Sequence, residues 1–183
     1  MNMSDIKDKR RTVVFLLISV FFIAVDQITK IAVVRNIGYG DTVKVIDKFF
    51  YLDHVRNTGS AFSLFADKKW GLAFLTAVSV VMAVVILICL IKSSFRKEFD
   101  LLSVAFLLLF AGAAGNLVDR FRLKYVVDFL RFDFGSYTFP IFNVADICAV
   151  VGTGLIIFAL IFKSKKFDSF LDSFMKKKEA SNG

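Results

Sequence analysis

The chain has 183 residues, with one proline, one histidine and two cysteines, and only 22% of it is charged. Two cysteines cannot form a disulfide framework. One histidine excludes a multi-histidine metal centre and a bis-histidine haem site. That histidine, His54, lies beside Arg56 and Asn57 and reads as a loop residue, so Ser-His-Asp and Cys-His catalysis are not available. Charge is sparse for a soluble domain, and hydrophobicity is far too high for disorder. Fully 57% of the residues are hydrophobic, 23 are phenylalanine, and the mean hydropathy is +0.67. The net charge of +8 in so apolar a chain suits anionic lipid and the cytoplasmic side of a membrane, and no nucleic-acid partner is expected.

The apolar residues are concentrated in long runs. Residues 70–91 and 101–118 contain no charge, and residues 136–162 contain only Asp146. A first run over 12–25 is interrupted by Asp26, Gln27 and Lys30 and resumes to Val34. A membrane-spanning helix needs about 20 mostly apolar residues, which predicts four spans at about 13–34, 71–91, 101–118 and 142–162. Basic residues precede the first run, but no small-x-small cleavage site follows it, so it reads as a permanent span. With both termini cytoplasmic, the inside segments hold 13 Lys and Arg in 42 residues, against 11 in 65 outside. This density favours that orientation. Trp70 reads as an interfacial anchor, and Cys89 and Cys148 as small apolar residues. Phe167, Phe170, Leu171 and Phe174 recur at helical spacing, which fits either a surface helix or a frayed basic tail. Residues 42–46 and 49–52 are β-branched and aromatic and follow a turn signal at 37–41, so they read as short strands. The expected fold is therefore all-α and integral to the membrane, a single domain over 1–183. It has four transmembrane helices and a small extracytoplasmic β-sheet between helices 1 and 2.

Ionisable groups inside spans point to function. In this topology Asp26 and Lys30 lie in the outer half of span 1. Span 3 delivers Asn116, Asp119 and Arg120 to its outer end. Span 4 is read as running inward from Pro140, which suits a first helical turn, and holds Asn143 and Asp146 near its start. Asp128 falls in the loop between spans 3 and 4. Three spans thus bring carboxylates and amides to one depth. The small-residue stretch 111–115 allows close helix approach beside them. Two carboxylates sharing a site keep one proton between them, and such a pair can both activate water and protonate a substrate. Structural roles compete with this reading. Asp26 and Lys30 at i, i+4 suit a buried ion pair, Asp119 with Arg120 suits scaffolding, and asparagines bond across helices without doing chemistry. Carboxylates without histidine companions make a metal site unfavourable, and no cofactor is expected. The alternative class is a small proton- or ion-coupled transport protein with Asp26, Asp119 and Asp146 as relay groups. Transport sites lie near the midplane in broken helices, whereas these groups gather at one edge.

Five segments carry a resemblance. They are Asp26-Gln27-Ile28-Thr29-Lys30, Arg56-Asn57-Thr58-Gly59-Ser60-Ala61-Phe62-Ser63, Gly115-Asn116-Leu117-Val118-Asp119-Arg120, Val126-Val127-Asp128-Phe129 and Pro140-Ile141-Phe142-Asn143-Val144-Ala145-Asp146. In this order, spread from span 1 to span 4, the chain resembles the lipoprotein signal peptidase family, also called signal peptidase II. The one departure is Ser60, where alanine is usual. The resemblance implies a bacterial inner-membrane aspartic endopeptidase with its site near the outer face. It would act as a monomer in membrane lipid on diacylated prolipoproteins, cutting before the lipidated cysteine. It implies Asp128 and Asp146 as the catalytic pair. It matches Asp26, Asn57, Asn116, Arg120 and Asn143 to positions that support the site or hold substrate; Lys30 and Asp119, from their place in the same cluster, join them as site support, and no metal is expected. It further implies that the outer strands form a cradle and that loop 129–139 is a mobile element.

Overall fold

A computed structural model describes residues 3–59 and 71–179. Among the described residues, four helices are long and apolar enough to cross a membrane. They lie within α1 (Met3–Asn36), α2 (Gly71–Ser94), α3 (Asp100–Leu123) and α4 (Val144–Phe162). At 1.5 Å per residue a 24-residue helix is about 36 Å long, enough for a hydrocarbon core of about 30 Å. α3 lies centrally and packs against α1, α2 and α4. Large apolar side chains face outward, among them Leu17, Phe21 and Ile28 on α1, Val81 on α2 and Val150 on α4. In water such a surface would aggregate; in lipid it is solvated.

Small residues set the closest helix contact. A Cβ on Gly112 of α3 would lie 2.5 Å from the Ala145 carbonyl oxygen, and one on Gly152 of α4 would lie 2.8 Å from that of Ala105. Glycine at both places lets the α3 and α4 backbones meet, as the stretch 111–115 suggested. Buried serines join the helices elsewhere. The Ser103 hydroxyl donates to Ser93 Oγ at 3.0 Å, and Ser19 donates to the carbonyl oxygens of Phe15 and Leu107.

One end of the bundle carries a four-stranded antiparallel sheet in the order β1 (Thr42–Ile46), β2 (Phe50–Asn57), β3 (Val126–Phe134), β4 (Tyr137–Thr138). Two strands match the expectation for 37–56. The other two add to it, because residues 129–134 are strand rather than loop. β3 pairs with β2 from Phe50↔Phe132 to Asn57↔Val126. A two-residue turn with Gly135 at φ 64° then leads into β4. Asp128 is thus on a sheet strand, opposite Val55. Phenylalanines 49, 50, 132, 139 and 142 form a chain of ring contacts across the sheet, with centroids 4.8–5.8 Å apart. α4 also starts later than Pro140 suggested. Phe142 still bridges to Leu130 as strand, and Asn143 is the N-cap. Trp70 and the part of the second motif from Ser60 to Ser63 lie outside the described residues.

At the opposite end, a 3-10 turn (Lys97–Phe99) precedes α3, and α5 (Ser164–Glu179) folds back on the bundle. Phe170 is buried against Phe99 and Phe106, and Lys92 lies 3.5 Å from the Phe174 ring centre. Three of the four residues of the apolar stripe contact the bundle, and Leu171 points away. The tail is therefore a docked helix.

Candidate active site

The site lies where the sheet meets the ends of α1, α3 and α4. It is built on Lys30, which is 2% exposed in the bundle. Its ammonium lies 2.9 Å from Asp26 Oδ2, 3.0 Å from Asp119 Oδ2 and 2.9 Å from Asn116 Oδ1. Three N–H donors therefore meet three acceptors, as a buried ammonium requires. Asp26 also accepts from the Ala145 amide at 2.9 Å, and Asp119 from the Val127 amide at 3.0 Å. These two carboxylates thereby tie the start of α4 and the start of β3 to the α1–α3 pair. Gly115 leaves the room this needs, since a Cβ there would lie 2.8 Å from Asp26 Oδ2.

Three asparagines pass this order on. Each has its amide oxygen engaged by a donor, so its N–H₂ must point the other way. Asn116 Oδ1 accepts from Lys30, and its Nδ2 donates to Asp146 Oδ1 at 2.9 Å. Asn143 Oδ1 accepts from the Asp146 amide as the α4 N-cap, and its Nδ2 donates to Asp128 Oδ1 at 2.6 Å. Asn57 Oδ1 accepts from the Gly59 amide, and its Nδ2 donates to Asp128 Oδ2 at 2.8 Å. The Asn143 amide also donates to Asp146 Oδ2 at 3.1 Å, completing a capping box. Residues 143 and 146 thus embrace one helix end. Each of Asp128 and Asp146 receives two N–H donors, and Asn143 touches both.

Electrostatics distinguish Asp128 from an ordinary carboxylate. It is 3% exposed. Burial pushes it up from 3.8 to about 6, and the Asp146 carboxylate adds to the rise, while hydrogen bonds from Asn57 and Asn143 and the charge of Lys30 oppose it. A carboxyl poised there can exchange its proton near neutral pH. The half-buried Arg120 guanidinium interacts electrostatically with Asp146, Asp128 and Asp119 without pairing directly with any of them.

The structure brings together Asp26, Lys30, Asn57, Asn116, Asp119, Asn143, Asp128 and Asp146, with Arg120 at the margin. Spacing left Asp119 and Asp128 as equal candidates. In the structure Asp119 accepts from Lys30, Gln27 and the Val127 amide, whereas Asp128 accepts from Asn57 and Asn143. Gln27 was overlooked. Its Nε2 donates to Asp119 Oδ1 at 3.0 Å and to the Gly115 carbonyl at 3.1 Å, and its Oε1 accepts from Arg122. Its position between Asp26 and Lys30 was the available signal. The Ala145 and Val127 amides had none. His54 is buried in β2 rather than in a loop; its Nδ1 lies 2.9 Å from the Ile37 carbonyl, at the end of α1.

Fold and site together define a multi-pass membrane protein with a cluster of carboxylates and amides at one edge of the bundle. The family model described as signal peptidase (SPase) II matches residues 18–162. The lipoprotein signal peptidase of Enterococcus faecalis is 43% identical over 156 residues, covering 85% of this chain and 92% of that protein. That of Bacillus pumilus is 37% identical over 152 residues, covering 83% and 95%. A bacterial membrane enzyme solved by the in meso method at 1.9 Å superposes with a TM-score of 0.69 at 33% identity, covering 81% of this chain and 93% of that one. The chain belongs to the signal peptidase II family and is a bacterial membrane peptidase.

Proposed function

We propose that this protein removes signal peptides from diacylglyceryl-modified prolipoproteins, cutting just before the lipidated cysteine, with Asp128 and Asp146 as an aspartic dyad. The observation that carries the proposal is the pair of carboxylates bridged by Asn143 in a chain of this family. The dyad shares one proton. The ionised member takes a proton from a water that attacks the scissile carbonyl, and the protonated member donates to the carbonyl oxygen. The pair then reverses roles to expel the amine. The base belongs to the pair, because coupled groups titrate jointly. Asn57, Asn116 and Asn143 hold the carboxylates. Asp26, Lys30 and Asp119 hold Asn116 and the two backbone starts, and Arg120 supplies positive charge for the substrate backbone. The substrate's acyl chains stay in lipid while its peptide enters at the sheet. The protein sits in the inner (cytoplasmic) membrane as a monomer, with both termini cytoplasmic and the sheet on the outer face, and uses no metal.

The test is cleavage of a diacylated and an unlipidated precursor by purified protein. The diacylated one is cut, and Asp128→Asn or Asp146→Asn abolishes cutting while the protein still folds. Substantial activity in either variant sinks the dyad. Chelator leaves activity unchanged; inhibition reversed by a divalent ion would sink the metal-free mechanism.

A further inference from the structure

At the end of the bundle away from the sheet, two adjoining cavities use none of the residues of the candidate active site. One, of about 490 Å³, is a groove beside α1 and α3. Its walls are Val14, Phe15 and Val104, and Arg10, Arg11 and Lys97 line it with Asp100. The other, of about 110 Å³, has an apolar floor that includes Leu102 and Phe167, and Lys97, Lys163 and Lys166 line it with Glu98 and Asp100. Lys97 belongs to both. The carboxylates are already engaged, since Asp100 pairs with Arg11 and Glu98 with Arg96. Arg10, Lys97, Lys163 and Lys166 have no ion-pair partner among the described residues.

Unpaired cations at a membrane boundary, above a groove walled by side chains from two spans, match one ligand chemistry. A soluble anion would use the cations and leave the groove, and a neutral lipid would do the reverse. We propose that this end binds an anionic phospholipid of the adjacent leaflet, its phosphate between Lys97 and its basic neighbours and an acyl chain along Val14, Phe15 and Val104. Val14 is 52% exposed and Val104 38% exposed, so the groove faces the surrounding hydrocarbon. The site is independent of the peptidase reading.

The test titrates phosphatidylglycerol and phosphatidylcholine into the full-length, detergent-solubilised protein and counts bound lipid by native mass spectrometry. Phosphatidylglycerol binds about tenfold more tightly. Lys97→Gln lowers its affinity about fivefold, the effect of one cation near a headgroup. Lys165→Gln removes the same charge from a position lining neither cavity and changes affinity less than about twofold. Val104→Trp fills the groove and weakens binding with all cations in place. Thermal midpoints confirm that each variant is folded. Equal binding of the two lipids, or equal losses in Lys97→Gln and Lys165→Gln, overturns the site in favour of diffuse surface attraction. Displacement of phosphatidylglycerol by inorganic phosphate, with Val104→Trp silent, overturns the lipid in favour of a soluble anion.

Discussion

Asp128→Asn separates stability from activity, and the structure sets the sign. The folded state holds the Asp128 proton more tightly than the unfolded chain does, with about 6 against 3.8. As pH rises from 3.8 the unfolded state loses its proton first, so the contribution of Asp128 to folding is full below that value and is lost by the time pH passes about 6. The loss amounts to about 3 kcal/mol, at up to about 1.4 kcal/mol per pH unit. The asparagine variant does not titrate. It carries a separate, pH-independent penalty of about 1–3 kcal/mol, because its N–H₂ faces the Nδ2 of Asn57 or Asn143. At pH 7.5 the variant should therefore equal the wild type or exceed it by up to about 2 kcal/mol, while cleavage falls at least about 100-fold. The assay is thermal unfolding of both proteins in detergent, followed by helical circular dichroism at pH 4.5 and pH 7.5. The difference in midpoint, variant minus wild type, should rise by several degrees between the two pH values. This slope does not depend on the amide penalty. A difference that is flat, or that falls as pH rises, refutes the view that Asp128 is buried at an energetic cost.

Three further outcomes follow from the same geometry. Lys30→Met leaves Asp26 and Asp119 buried together without their cation and should cost about 3–5 kcal/mol, read as a lowered thermal midpoint, with Asp26→Asn in the same chain recovering part of it. Gly112→Ala drives a methyl group into the Ala145 carbonyl at 2.5 Å and should lose about 1–3 kcal/mol, while Gly154→Ala, with open space around it, changes the midpoint by less than about 1 kcal/mol. Asn143→Ala removes a donor that holds Asp128 down, so the pH–rate profile of the pair should move to higher pH. The lost N-cap should cost about 0.5–2 kcal/mol in unfolding.

The spans were legible because lipid imposes one requirement, about 20 apolar residues, on each of them. Their ends were less so. Hydropathy stopped at Val118, yet α3 runs to Leu123, because Asp119 and Arg120 are helical residues that face protein. Pro140 suggested a helix start, while the true signal was the Asn143–Asp146 capping pair. β3 escaped notice because Asp128, Arg131 and Asp133 break its apolar pattern and its partner strand lies some 70 residues earlier. The depth at which the polar groups converge was readable from topology. Spacing did not choose between Asp119 and Asp128; the family resemblance did, and the Lys30 contact that engages Asp119 lies some 90 residues away in sequence.

The pairing of Asp26 with Lys30 also bears on how the protein enters the membrane. α1 is made first, and the α3 groups that complete the Lys30 site, Asn116 and Asp119, follow some 90 residues later. A lone aspartate or lysine at the centre of a helix costs about 2.5–3.5 kcal/mol to insert. Spaced one helical turn apart and 2.9 Å from each other, the two neutralise one another within α1. The first span therefore carries its own counter-ion into the lipid and waits there, half-satisfied, until α3 arrives. Residues that later brace the site thus ease the insertion of α1.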